Sequence, residues 1–364
     1  MRYSMIMAGG SGTRLWPMSR ESLPKQLIPF IDGKSLLQLA NERLTSLVPD
    51  DCRYVCAGLK HRAAIQAALP GLSEAQFLGE PIGRDTLNAV GLGAAVIAAR
   101  DPEAIIAVFT ADHIIEPVDQ FQKIVAHGYR LVEQSPNTLV TFGITPTHPA
   151  TGYGYLQLGA TIEGVARVVE QFKEKPDAPT AEQYVAAGSD RYLWNSGMFV
   201  WRADTLLDCI RRYRPDTHAK LTEIASAWYT SHRDQVLAQV FPTLEKISVD
   251  FAVMEPSSRD SQVRVAAVPM PLRWLDVGSW PSYAETCRQD AHQNRIAAAK
   301  HLVQGSQNCL VASNDSSHLL VVAGCIDLMV IHTPDATLIC PRQDAEKVKA
   351  LQKTVTAAFD TEFV

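Results

Sequence analysis

Over its first 280 residues or so the chain alternates short apolar runs of strand length with longer segments of helical periodicity, and that alternation constrains the fold most. Ser4–Ala8, Tyr54–Ala57, Ala104–Phe109 and Leu139–Ile144 read as strands; Ser35–Leu47, Thr86–Arg100 and Phe121–Gln134 read as helices. Ser35 and Gln38 carry capping-box spacing ahead of Leu36, Leu37, Leu39, Ala40 and Leu44. Parallel strands need crossover connections, which are usually helical, so the rhythm predicts an α/β, Rossmann-like domain with a mostly parallel sheet covered by helices. In such sheets ligands gather beyond the carboxyl ends of the strands. A glycine loop follows the first strand and Asp112 follows Ala104–Phe109, so both stand where that rule places a site.

From about Thr286 the texture changes. Short strand-like pieces follow at Cys309–Ala312, Leu319–Val322, Leu328–His332 and Thr337–Ile339, separated by turn residues. A last helix is expected over Ala345–Phe359, with Asp344 as its N-cap and Val348, Leu351 and Val355 on one face. The expected division is residues 1–285 as a catalytic domain and 286–364 as a small β domain with a final helix.

Composition narrows the function classes. With 34 basic and 39 acidic side chains the formal charge is −5, which argues against a general nucleic-acid binder. The longest apolar candidate, Ala89 to Ala99, falls short of the roughly 20 residues that span a bilayer and contains two glycines. The N-terminus runs straight into glycines and lacks a signal peptide's h-region and cleavage site. Seven scattered cysteines with no C-x-x-C pair fit a reducing cytoplasm better than a disulfide framework or zinc site.

The densest chemical signal is Ala8-Gly9-Gly10-Ser11-Gly12-Thr13-Arg14, continuing to Pro24-Lys25-Gln26. Glycines let backbone approach a ligand closely, and successive N–H groups can form an anion-binding nest. Arg14 can grip phosphate oxygens bidentately and Lys25 adds a point charge. The spacing matches neither a P-loop nor G-x-G-x-x-G, since position 15 is Leu. The segment reads as a cradle for a nucleoside triphosphate built in another way.

Gly10-Ser11-Gly12-Thr13-Arg14-Leu15-Trp16-Pro17-Met18-Ser19-Arg20 followed by Pro24-Lys25-Gln26 resembles the signature of sugar-1-phosphate nucleotidyltransferases, and most closely that of mannose-1-phosphate guanylyltransferases (GDP-mannose pyrophosphorylases). Five further motifs in the expected order extend the resemblance over nearly the whole chain. Asp112 after a strand and Asp276 in Trp274-Leu275-Asp276-Val277-Gly278-Ser279-Trp280 could each be a turn or cap former; the resemblance implies that they are a Mg²⁺ pair. His113 stays open between a bonded loop histidine and a catalytic one. Phe172-Lys173-Glu174-Lys175-Pro176, Thr151-Gly152-Tyr153-Gly154-Tyr155 and Trp194-Asn195-Ser196-Gly197 look like the family's sugar segments, with Gly152, Tyr153, Glu174, Lys175 and Asn195 as expected contacts. Trp194, Phe199 and Trp201 read as wall or core. Glu80-Pro81-Ile82-Gly83-Arg84-Asp85-Thr86 is similar to the guanine-side motif, so Glu80, Gly83, Arg84 and Thr86 are expected near the nucleotide; Thr86 could equally be only an N-cap. Asp250-Phe251-Ala252-Val253-Met254-Glu255 reads mainly as packing behind the sugar site.

The resemblance implies in-line attack of a sugar 1-phosphate on the α-phosphorus of GTP, with Mg²⁺ as cofactor. It also implies a left-handed β-helix-like C-terminal segment and a homodimer, without the fused isomerase domain of larger relatives. Two rivals remain: a related transferase using UTP or dTTP with glucose 1-phosphate, and a non-catalytic sugar-nucleotide-binding subunit. All readings require the basic loop and the acidic pair, far apart in sequence, to converge.

Overall fold

The computed structural model describes residues 1–10, 12–31 and 33–364. Ser11, expected to touch nucleotide, lies outside them. Two compact units emerge, and they interleave along the chain: Met1–Gly9, Ala40–Ala111 and Ile115–Trp274 form one, while Gly10–Leu39, Asp112–Ile114 and Leu275–Val364 form the other.

The first unit is built on a nine-stranded sheet among the described residues, in the order Phe77–Glu80, Arg53–Gly58, Arg2–Met7, Ile105–Thr110, Tyr192–Arg202, Thr138–Ile144, Arg264–Pro269, Ala166–Lys173, Tyr155–Glu163. The first four strands are parallel. Tyr192–Arg202 runs antiparallel to both of its central neighbours, and Arg264–Pro269 returns parallel to Thr138–Ile144. The α/β layering agrees with the alternation in the sequence, while the sheet is mixed, with four parallel and four antiparallel pairings between neighbours in that order.

Thr86–Arg100 is helical over the range the periodicity predicts. It is apolar all round because it is buried on more than one side. Its two central glycines mark the close approaches: a Cβ on Gly91 would stand 2.6 Å from Leu221, and one on Gly93 would stand 2.4 Å from the Met5 sulfur. The helix expected over Ser35–Leu47 spans only Leu36–Glu42. Its capping box forms as read, with the Ser35 N–H donating to Gln38 Oε1 (2.8 Å) and the Gln38 N–H to Ser35 Oγ (3.3 Å). Beyond it the backbone tightens to three-residue turns, Leu44 N–H to Asn41 O and Thr45 N–H to Glu42 O.

The second unit holds a parallel coil. Arg295–Ala297, Leu310–Ser313 and Leu328–His332 pair in parallel on one face, and Lys300–Gln304 pairs with Leu319–Ala323 on another. Leu310 sits beside Met329 and Lys300 beside Leu319, so one coil advances 19 positions there, against 15 from Arg295 to Leu310. That uneven step is why the repeat is weak in the sequence. Its apolar core joins Trp16, Leu36, Val277, Trp280, Met329, Ile331 and Val348. The final helix is Val348–Phe359, preceded by a 3-10 turn over Arg342–Lys347. Asp344 is therefore not its N-cap; it lies inside that turn, paired with Lys347 at 2.8 Å. Among the described residues no helix is long and apolar enough to cross a membrane.

Candidate active site

The second unit gathers the charges that the sequence keeps apart. Lys25 opens a 3-10 turn set by Pro24, and its Nζ donates to Val277 O (3.2 Å) and pairs with Asp112 Oδ2 at 2.7 Å. The Val277 N–H donates to Asp112 O (3.0 Å), which ties the two carboxylate-bearing segments together. Asp112, His113 and Asp276 each bring one ligand atom within 4.8 Å of the others. Arg14 joins from the glycine loop: a Cβ placed on Gly278 would lie 3.5 Å from Asp276 Oδ1 and 3.9 Å from Arg14 Nη2. Arg14 also reaches Glu346 at 3.6 Å, an exposed pair of little energetic weight.

The electrostatics follow from that geometry. Burial pushes the Asp112 carboxyl up, but Lys25 and His113 outweigh it and hold it below its ordinary value. Burial and then the Asp112 charge push Asp276 up. Two half-buried carboxylates this close together favour a cation between them. Their hard oxygens suit Mg²⁺, so the donor set fits the cofactor that the sequence implies.

The glycine loop takes its shape from backbone. Gly10 and Gly12 have φ of 101° and 61°, in the left-handed region. Gly12 O accepts from the Leu15 N–H (2.8 Å) and from Ser19 Oγ (2.7 Å). Thr13 and Arg14 lie in the 3-10 turn Thr13–Leu15. Trp16 and Trp280 anchor the loop: the Trp280 indole donates to Trp16 O (3.0 Å), and the Trp16 indole to Phe363 O (2.7 Å). The aromatic members of these motifs are thus framework.

A second group of polar side chains lies in the first unit. The Asn195 amide donates to Asp250 Oδ1 (2.9 Å), and its carbonyl accepts from Thr141 Oγ1 (2.7 Å). Glu174 is buried and pairs with Lys175, whose φ of 44° is left-handed. Burial first, then the Glu174 charge, pushes the Asp250 carboxyl up. For Lys175 burial works against the charge, yet Glu174, Asp250 and Asp85 together raise it. Gly154 is the glycine this cluster requires, since a Cβ there would stand 2.6 Å from Glu174 Oε2 and 3.4 Å from Asn195 Cβ. A Cβ on the expected Gly152 would meet nothing within 4 Å. Tyr153 packs on Trp194 and Trp274, with ring centroids 5.0 and 5.5 Å away. Trp201 is buried against Phe199, as read.

Asp250 is the member that sequence reasoning missed. The segment reads as packing, and Ala252, Val253 and Met254 are indeed buried, but Phe251 is 47% exposed and Asp250 faces Asn195. An acidic side chain heading an apolar run was the available signal.

The nucleotide-side motif divides. Ala8 extends the ladder between Arg2–Met7 and Arg53–Gly58 by donating to Cys56 O (2.8 Å), and a Cβ on Gly9 would lie 3.9 Å from Glu80 Oε2. Arg84 and Thr86 have another task. Arg84 donates to Pro242 O, Thr86 Oγ1 accepts from the Val249 N–H (3.0 Å), and Asn88 donates to Glu245 O (2.7 Å). The segment is a seam that holds the chain just ahead of Asp250. Asp85, not Thr86, caps the helix, accepting from the Thr86 N–H at 2.8 Å. Gly83 faces open space. Thr86→Val should cost about 1–3 kcal/mol in denaturant unfolding, because the Val249 N–H loses its partner.

Glu80 is buried, and its carboxyl is pushed up to about 7, first by desolvation and then by Asp85. The folded chain therefore keeps a proton that the unfolded chain releases near pH 4.5, so this group's contribution to stability falls as pH climbs from about 4.5 to 7. Glu80→Gln should match the parent in thermal melts at pH 4.5 and exceed it at pH 8 by up to about 3 kcal/mol. Equal melting at both values would contradict the shift.

Lys25 and a pair of carboxylates meeting Arg14 of a glycine loop, carried by an α/β sheet protein, define a class that handles nucleoside polyphosphates. Residues 3–293 match the Nucleotidyl transferase family and residues 300–354 the MannoseP isomerase/GMP-like beta-helix domain. The chain is 36% identical to the mannose-1-phosphate guanylyltransferase of Escherichia coli K12 over 98% of its own length and 73% of that protein's. It is 36% identical to the xanthan biosynthesis protein XanB of Xanthomonas campestris over 97% of its length and 73% of the relative's. Among solved structures, the mannose-1-phosphate geranyltransferase of Thermus thermophilus superposes with a TM-score of 0.84 at 33% identity, covering 97% of this chain and 99% of that one. The chain belongs to the mannose-1-phosphate guanylyltransferase family of nucleotidyltransferases.

Proposed function

We propose that the chain transfers GMP from GTP to mannose 1-phosphate, giving GDP-mannose and pyrophosphate. The observation that carries the reading is the meeting of Lys25 with Asp112 at 2.7 Å, beside Asp276 and the glycine loop of Arg14. The relatives named for this reaction support the choice of substrates.

The nucleophile is already a phosphate anion, so neither a general base nor a covalent enzyme intermediate is needed. The residues then have two tasks, positioning and charge stabilisation. Lys25 and Arg14 bind the triphosphate and neutralise charge that builds on the departing pyrophosphate. Backbone N–H groups of the loop that includes Gly9, Gly10 and Gly12 hold phosphate oxygens. Asp112 and Asp276 would hold Mg²⁺, which when bound supplies charge neutralisation at the reacting phosphates. Glu80 offers a buried acceptor for guanine N–H groups. Lys175 orients the sugar phosphate, while Glu174, Asn195 and Asp250 share sugar hydroxyls. Asn195 suits that task because its amide is fixed at both ends, by Asp250 and Thr141.

The deciding experiment is pyrophosphate release over a grid of four nucleoside triphosphates with mannose and glucose 1-phosphates in Mg²⁺. GTP with mannose 1-phosphate should dominate. Release from UTP or dTTP but not GTP would overturn the choice of nucleotide, and binding without turnover would mark a regulatory subunit. A homodimer in the cytoplasm is part of the same proposal. The free state of all seven cysteines supports the compartment, and sedimentation would test the dimer.

A further inference from the structure

Two histidines and an aspartate stand together on the β-helix, and nucleotidyl transfer makes no use of them. Asp315 lies in the turn after strand Leu310–Ser313, His318 immediately precedes strand Leu319–Ala323, and His332 ends strand Leu328–His332. The parallel register sets Ser313 beside His332, so one coil brings the turn with Asp315 and His318 to the strand end that carries His332. The two imidazoles lie face to face, centroids 3.9 Å apart and planes 22° from parallel. One ligand atom from each of the three residues lies within 4.8 Å of the others.

The surroundings orient these groups. His332 Nδ1 is 2.9 Å from Oγ1 of Thr337, its cross-strand neighbour. With Nδ1–H donating there, Nε2 presents its lone pair, the arrangement that metal-ligating histidines adopt. Asp315 Oδ1 accepts from the Ser317 N–H (2.8 Å) and Ser317 Oγ (2.7 Å), which fixes the carboxylate plane while its other oxygen takes no part in those bonds. Asp315 and His332 are half-buried and His318 is exposed. An ion has a way in, and His318 has room to turn from stacking to ligation.

We infer that Asp315, His318 and His332 bind one divalent transition-metal ion of the Zn²⁺ type, which clips successive coils of the β-helix together. Two imidazoles and one carboxylate suit Zn²⁺, Co²⁺ or Ni²⁺, whereas Mg²⁺ prefers oxygen donors. Water completes the coordination. The ion binds only the folded coil, so it stabilises the fold by mass action.

The test uses the tag-free full chain, stripped with chelator and titrated with Zn²⁺ by calorimetry, with thermal melts alongside. Because Asp112, His113 and Asp276 form the other such group among the described residues, Asp276→Asn is the control. Zn²⁺ should bind the parent and Asp276→Asn alike and raise the melting temperature of both. His318→Gln and His332→Gln should each weaken that binding at least 10-fold. Thr337→Val, which keeps all three ligands, should weaken it about 10-fold through loss of orientation. Parent-like Zn²⁺ affinity in either histidine variant, or loss of all Zn²⁺ binding in Asp276→Asn alone, would overturn the assignment. Neither outcome depends on which nucleotide or sugar the chain uses.

Discussion

Lys25→Ala should lower turnover by about 10²-fold or more, the scale on which one preorganised electrostatic element acts. Its ammonium is largely buried, 2.7 Å from Asp112 Oδ2 and 3.2 Å from Val277 O, so its position is fixed before any substrate arrives. In the ligand-free protein it neutralises Asp112; under the proposed function its charge turns to phosphate oxygens once a triphosphate binds. Removing it separates two roles that an activity loss alone would merge. Turnover should fall, while Mn²⁺ binding to the nucleotide-free protein should hold or tighten, because the lysine no longer competes for Asp112. Steady-state pyrophosphate release and paramagnetic titration give the two readings. A loss below about 5-fold, or Mn²⁺ affinity that collapses together with turnover, would mean that Lys25 only props the acidic pair.

Much of the fold could be read from residue order. Thr86–Arg100 was legible because an apolar run too long for a strand carries no breaker beyond two glycines, and those glycines are where Met5 and Leu221 press in. The charge cluster was legible as a list of residues, since few tasks other than polyphosphate chemistry explain a glycine loop followed by Arg14 and Lys25. What sequence could not show was partnership. Thr86 reads as a cap or a ligand contact, yet its hydroxyl serves Val249 across more than 160 residues. Arg84 reads as a contact on the nucleotide side, and its guanidinium donates to the Pro242 carbonyl. Asp250 reads as the edge of a packing segment and becomes the acceptor for Asn195. Asp344 has a capping residue's chemistry, but Arg342–Lys347 winds as a 3-10 turn around it, so the cap position never forms. In each case the local preference is real and a long-range hydrogen bond or a tighter turn decides the outcome.

Gly12→Ala should approach Lys25→Ala in its effect on turnover while leaving every charged group in place. Gly12 has φ of 61°, and an added Cβ would lie 2.8 Å from Lys25 Cβ and 3.1 Å from the Lys25 backbone nitrogen. The left-handed conformation alone costs an alanine about 1–2 kcal/mol. The clash cannot be relieved by swinging a flexible side-chain end, because one partner is backbone; overpacking of this kind costs about 1–3 kcal/mol more. The loop can escape only by moving away from Lys25, and the Gly12 carbonyl would take its bonds from Leu15 and Ser19 with it. A displacement near 1 Å at a reacting group is enough for about 10²-fold in rate. Gly71→Ala is the matched control: its Cβ meets nothing within 4 Å, so stability should stay within about 0.5 kcal/mol and turnover should not change. If Gly12→Ala turned over normally with an unchanged melting temperature, the contact between loop and lysine would not be what sets the position of the Lys25 charge. The assignment of that charge to the triphosphate would then have to rest on Asp112 and Val277 alone.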